Sequence, residues 1–320
     1  MTNNSRLGKI SGVFGMLFLS LIWGGTFVVT KFVLREGISV GALVSLRFLL
    51  GFIFLAAMML LLRKGIDKQS AKDGLVLGAI LVGIFWLQVD GLRFTTASKS
   101  GFITGLSVIF TPIASLFLKE KFKAAQGFCA ILALVGLFFL VRDPNAPFGG
   151  WNRGDSEALA CAALCGLHIT LTARMSRRSS PWTLGLGQIT VVAVVSCALT
   201  LVLPADISAG QSMGGFDMLG ATLQKPEVWI GLLYLSLLAT SLGFYMQPLL
   251  QAKITATSAA VVFCTEPVFA VLIATSGLVP GIHEHLTLVQ ALGGALIVAA
   301  TLLAEIGPWM VEKWGRKKQA

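Results

Sequence analysis

Arg47 and Glu266 are charged side chains written into apolar runs. An ionisable group in hydrocarbon costs about 2.5–3.5 kcal/mol on insertion scales, so it faces a protein interior, a cavity or a partner. Arg47 lies about six residues into the second such run, and its planar fork of donors suits a carboxylate or a phosphate. The same side chain could instead snorkel to an interface or tie a neighbouring helix by its carbonyls. Glu266 directly precedes Pro267, whose ring removes a backbone donor and can kink a helix. A carboxyl group there could exchange a proton with a cavity, or stay protonated and hydrogen-bond an adjacent helix.

Weaker polar groups fall at helical spacing around these two. Trp23, Thr26 and Thr30 share one helix face, Cys165, His168 and Thr172 another, and Thr104, Ser107 and Thr111 a third. Gly101 and Gly105, in the same fourth run as Thr104, would let that helix approach its neighbour closely. Such residues bind a solute or glue helices together. His168 sits mid-run, either as a proton carrier or as a satisfied buried histidine. Trp86 and Tyr245 are candidate aromatic walls for a small-molecule cavity, or packing residues. Asp90 and Arg93 are spaced for an interfacial ion pair, which is preferred here to a gate. His283-Glu284-His285 places two histidines at i, i+2 without further ligands, so no metal site is expected.

The elements that must hold these residues follow from composition. Of 320 residues, 55% are hydrophobic and 12% charged, which makes lipid the solvent for most of the chain. Apolar runs of about 20 residues, the length that crosses an ~30 Å hydrocarbon core as a helix, recur along it. They predict ten spans at 11–34, 41–62, 74–93, 98–118, 124–141, 156–175, 182–203, 228–250, 255–278 and 286–305. Helices are required because an isolated strand leaves backbone groups unpaired in lipid. The first run has no small-x-small cleavage pattern and is read as an uncleaved span.

The net charge of +10 is distributed as topology, with the basic residues in short clusters between runs and no basic face for nucleic acid. With both termini inside, 17 of the 25 basic residues fall in inner segments and 7 in outer ones, leaving Arg47 within a span. The positive-inside rule therefore predicts cytoplasmic N- and C-termini. This topology puts the longest linker, about Pro204 to Glu227, outside. The five cysteines all lie inside runs without C-x-x-C spacing, so neither disulfides nor zinc are indicated.

The chain is also written twice. TTASKSGF from Thr95 matches ITATSAAV from Ile254 at a shift of 159, and the same shift pairs Phe85-Trp86 with Phe244-Tyr245, Gln88 with Gln247, and Ser107 with Glu266. Glu120 and Gln126 face Glu284 and Gln290 at a shift of 164. Nearer the start, Trp23-Gly24-Gly25-Thr26 faces Cys165-Gly166-Leu167-His168 at a shift of 142, and Arg47 faces Gln188 at 141. Five spans is an odd number, so the second copy enters the membrane upside down. Inverted repeats of this kind build alternating-access carriers whose site lies at the midplane between the halves.

The WGGTF run from Trp23, Arg47-Phe48, TASKSGFITGL from Thr96 and TEPVFA from Thr265 resemble the EamA-type repeats of the drug/metabolite transporter superfamily. The resemblance divides the chain into a first repeat (10–141), an outer linker (142–155), a second repeat (156–305) and a basic cytoplasmic tail (306–320). It implies a bundle around a central cavity in a bacterial inner membrane, exporting amino acids, other metabolites or drugs. The halves differ where Arg47 becomes Gln188 and Trp23 becomes Cys165, so the implied site is asymmetric.

The expected partners are a small-molecule substrate and the lipid bilayer. The substrate-cavity candidates are Trp23, Thr26, Arg47, Trp86, Thr104, Ser107, His168, Gln188 and Tyr245, with Glu266 as the candidate for proton coupling. An enzyme would need a nucleophile with its base, paired aspartates or a metal set, and none is written here. No cofactor is called for, and no G-x-x-x-x-G-K-[ST] run provides for ATP. A passive uniporter or channel would use the same helices. A sensor or assembly protein would use the polar stripes for packing alone, but the duplication and the absence of a soluble domain argue against it.

Overall fold

The computed structural model describes residues 3–95, 97–119, 124–140, 151–203, 220, 223–282 and 286–317. Thr96, the His283–His285 motif, most of the 142–155 linker and most of the Pro204–Glu227 linker lie outside the described residues, as do the side chains of the tail. The described elements are all helical: α1 (Asn3–Arg35), α2 (Val40–Leu61), α3 (Lys68–Phe94), α4 (Ala97–Gly105), α5 (Ser107–Phe117), α6 (Ala124–Leu140), α7 (Arg153–Met175) and α8 (Pro181–Val202). There follow α9 (Pro226–Leu233), a π-helical segment (Tyr234–Leu242), α10 (Gly243–Gln251), α11 (Ala256–Phe263), α12 (Glu266–Thr275) and α13 (Leu288–Lys317).

Grouped by continuity, these make ten spans. Eight are long and apolar enough to cross a membrane, and Gly127–Leu140 and Leu288–Ala304 are shorter apolar helices. Several helices outrun their apolar runs. The third starts at Lys68 rather than 74, because Asp67 caps it by accepting from the Ser70 amide. Charged turns outside the hydrocarbon can continue a helix, and an apolar run does not record them.

The packing is unchanged when spans one to five are exchanged with six to ten. α6 lies along α13 and α2 along α8, each pair mapping onto itself. The contact of α5 with α7 is matched by α12 with α1, and that of α4 with α12 by α11 with α5. One end of the bundle, called the near end, gathers Ser11 with Lys253, and Asp73 with Arg178. The far end gathers Lys31 with Leu92 and Thr95, and Asp90 with Arg153. Since α1 starts at the near end and α7 at the far end, the repeats are inverted around the centre.

Small residues set the closeness of the halves. A Cβ on Gly24 would stand 2.6 Å from the Glu266 carbonyl oxygen, and one on Gly166 would stand 2.6 Å from the Phe110 Cβ. These are the same contact made twice, for Gly24 and Gly166 are repeat mates, and Phe269, also against Gly24, is the mate of Phe110. Outward-facing Phe14, Phe18, Leu60, Leu61, Phe117 and Ile230 form an apolar exterior suited to lipid.

At the near end, Asp73 accepts from Arg178 at 2.9 and 2.7 Å and from Ser179 at 2.8 Å. The carboxylate holds the Arg178 guanidinium still more firmly protonated. At the far end Asp90 pairs with Arg93 at 2.8 Å, as its spacing predicted, and also with Arg153 at 2.6 Å. Asp155 is fully buried there between Lys99 and Thr95.

Candidate functional site

Two of the ten spans are broken, and at the same place. α4 yields to α5 at Leu106, and α11 yields to α12 at Cys264-Thr265. Pro267 explains the second break, since it has no N–H for the Phe263 carbonyl. Around both, tightened i→i+3 bonds replace the α pattern: Leu106 N to Ile103 O, and Thr265 N to Val262 O. Ser107 and Glu266, repeat mates, are therefore each the first residue of the new half-helix.

The breaks adjoin a cavity of about 110 Å3 between the halves. At roughly 10–15 Å3 per water this holds a handful of waters or one small solute. Its lining is largely built from repeat mates: Trp23 with Cys165, Thr26 with His168, Phe85 with Phe244, Gln88 with Gln247, and Ser107 with Glu266. Of the sequence candidates, Trp23, Thr26, Arg47, Thr104, Ser107, His168 and Glu266 meet in this one space.

Three candidates are placed elsewhere. The Trp86 indole donates to Ser196 at 3.0 Å, and Tyr245 lies tilted against Trp182 with centroids 4.0 Å apart. One residue along a helix is a rotation of about 100°, so turning those aromatics away turns Phe85 and Phe244 inward. The walls are therefore phenylalanines rather than Trp86 and Tyr245. Gln188 is fully buried behind His168 and does not line the space. Phe85, Phe244, Gln88 and Gln247 were missed as site residues although their pairing across the repeats is in the sequence.

Arg47 is buried, and its guanidinium carbon stands 4.6 Å from the centroid of the Phe85 ring. Its Nε donates to Thr240 at 2.9 Å, and Thr240 in turn donates to Leu235 O at 2.8 Å. That i→i−5 bond lies within the π segment, which also offers the Ala239 carbonyl to the Trp23 indole at 2.9 Å. A π turn widens the helix and leaves carbonyls free for such side-chain bonds. The matching residues 75–83 of the first repeat lie in regular α-helix, so the device belongs to one half. Neither Arg47 nor Glu266 forms an ion pair among the described residues, and both line the cavity.

His168 and Gln188 fix each other's orientation. Gln188 Nε2 donates to the Leu184 carbonyl, so its Oε1 accepts from His168 Nε2 at 2.8 Å. The proton then sits on Nε2, which leaves Nδ1 as an acceptor. Thr104 Oγ1 and Gln247 Oε1 also line the space and are buried without a hydrogen-bond partner. The cavity thus offers one guanidinium, one carboxyl group and several free acceptors within aromatic walls. No three His, Cys, Asp or Glu side chains cluster for a metal among the described residues.

The family model described as the EamA-like transporter family matches residues 10–142 and 152–305. An "Uncharacterized transporter" of Archaeoglobus fulgidus is 30% identical over 293 residues, covering 91% of this chain and 85% of that protein. The "Uncharacterized transporter YetK" of Bacillus subtilis is 26% identical over 310 residues, covering 93% and 88%. A solved structure described only as a crystal structure of a protein superposes with a TM-score of 0.72 at 17% identity, covering 92% of this chain and 98% of that one, which is a likeness of fold.

Proposed function

The chain belongs to the EamA-like transporter family, and on that premise we propose that it carries a small anionic or zwitterionic metabolite across the membrane by alternating access, in the direction of export. One observation supports this above the rest: a guanidinium and a carboxyl group without ion-pair partners share one cavity at the junction of two inverted repeats. Buried charges of that kind are costly unless a ligand or solvent satisfies them. Arg47, anchored through Nε to Thr240, keeps its two terminal nitrogens for a carboxylate or phosphate. Glu266 and His168 Nδ1 accept from the solute's donors, and Phe85 and Phe244 exclude water around its carbon frame.

In the cycle, the half-helices that begin at Ser107 and Glu266 are the moving parts. Their broken hydrogen-bond ladders let α5 and α12 tilt without melting either span. Glu266 takes a proton on one side and releases it on the other. The termini face the cytoplasm, a reading that the distribution of basic residues supports.

The test is efflux from liposomes carrying the purified protein, loaded with labelled amino acids and small metabolites, at two pH values. Saturable loss of one chemical class supports a carrier. Loss that rises linearly with concentration favours the passive channel, and none beyond empty liposomes sinks both.

A further inference from the structure

Among the described residues, several buried side-chain polar atoms have no hydrogen-bond partner, and half of those atoms lie between the cavity and the near end. They are Ser115 Oγ, Thr172 Oγ1, Gln247 Oε1, Gln251 Oε1 and Thr257 Oγ1. All five residues are at most 2% exposed. Of their helices, α7 packs against α5, α10 and α11, and α5 against α11. Gln251 Nε2 donates to Ile169 O, which sets it beside α7 less than one turn from Thr172. Thr170 reaches Thr111 O, which brings Ser115, one turn farther along α5, toward the same level. Gln247 stands one turn above Gln251 and lines the cavity.

Other threonines show that this lack of partners is not a habit of the residue. Thr111, Thr170, Thr200 and Thr301 each return their hydroxyl to the carbonyl four residues back. Thr172 makes no such bond, though His168 O is available to it by the same spacing. A buried polar atom without a protein partner costs as much as a lost hydrogen bond, and the usual resolution is ordered water with two to four polar partners. Five such atoms on adjoining helices provide them. The far end also holds partnerless buried atoms, Ser100 Oγ and Glu157 Oε2, but there Lys31 is tied to two backbone carbonyls and Lys99 to Asp155, which closes the end with direct bonds.

We propose that Gln247, Gln251, Thr172, Thr257 and Ser115 hold a chain of water that joins the central cavity to the solution at the near end, and that this chain is the wetted half of the translocation route. The assignment as a route rests on the transport reading; the water itself does not. The ligand is water and the small ions that follow it.

Silver ion, small enough to enter a single-file path, is the probe. In a background with the five native cysteines replaced, Thr172→Cys, Thr257→Cys and Ser115→Cys are each reconstituted in oriented vesicles. Silver should modify them from the near-end solution at least about tenfold faster than Thr301→Cys, a buried position in the same half of the bundle whose hydroxyl is already paired. Rates equal to that control, or equal from both sides, overturn the proposal. A second measurement uses the unaltered protein: hydroxyl-radical footprinting should oxidise Ile169, whose carbonyl accepts from Gln251, faster than Leu137, which is fully buried in the same apolar cluster and is hydrogen-bonded to none of the five residues. Equal oxidation also overturns it. Neither measurement needs a known substrate, so silver reaction without transport leaves the water path standing and removes only the carrier.

Discussion

Ser107 and Glu266 occupy one position in two inverted repeats, each opening a half-helix beside the central cavity, and only the second is an ionisable group. The repeat thus supplies a built-in control for the carboxyl group. Glu266→Ser copies the first half's residue into the second and should lower transport at least about tenfold, the scale of one charge-assisted hydrogen bond, with abundance unchanged. Glu266→Gln keeps the shape and should flatten the dependence of transport on pH. A pH profile identical to wild type would assign the carboxyl group to packing.

Arg47→Lys keeps the charge but removes the fork, the bond to Thr240 and the stacking on Phe85. Transport should fall by about ten- to a hundredfold, corresponding to the 1.5–3 kcal/mol of a hydrogen bond to a charged group. Detergent-solubilised protein should remain monodisperse. Unchanged transport would take Arg47 out of the binding site.

Gln188 accepts from His168 and does not itself reach the cavity. In Gln188→Leu the imidazole loses its acceptor, so the Nε2–H tautomer is no longer enforced. Nitrogen NMR of labelled histidine should show a change in tautomer, together with a weaker apparent affinity for substrate. An unchanged spectrum would mean that another group holds the ring.

Gly24 meets the carbonyl of Glu266 so closely that a methyl group has no room. Because backbone cannot yield as a flexible side chain does, Gly24→Ala should cost about 1–3 kcal/mol and lower the Tm. Gly166→Ala should behave alike through Phe110. Gly8, where a methyl group would meet only open space, is the control: in Gly8→Ala the Tm should hold. Equal Tm values for all three would show that the halves are not in tight contact at the breaks.

Ten apolar runs, the order of matched residues in both halves, and an arginine and a glutamate within hydrocarbon were all legible in the sequence, because lipid tolerates few alternatives to an apolar helix and penalises each buried charge. Which side of each helix faces the centre was not. A lipid tail is as apolar as leucine, so the runs carry little contrast between exterior and core, and Phe85 and Trp86 differ by a rotation that the residue types do not reveal. The tertiary structure decided that rotation. It also decided the partner of Arg47, since Thr240 is 193 residues away and is presented by a π segment that its repeat mate lacks. The proline beside Glu266 forecast a kink there, but Ser107 has no adjacent proline, and the matching break in α4–α5 emerges only where the two halves pack around one cavity.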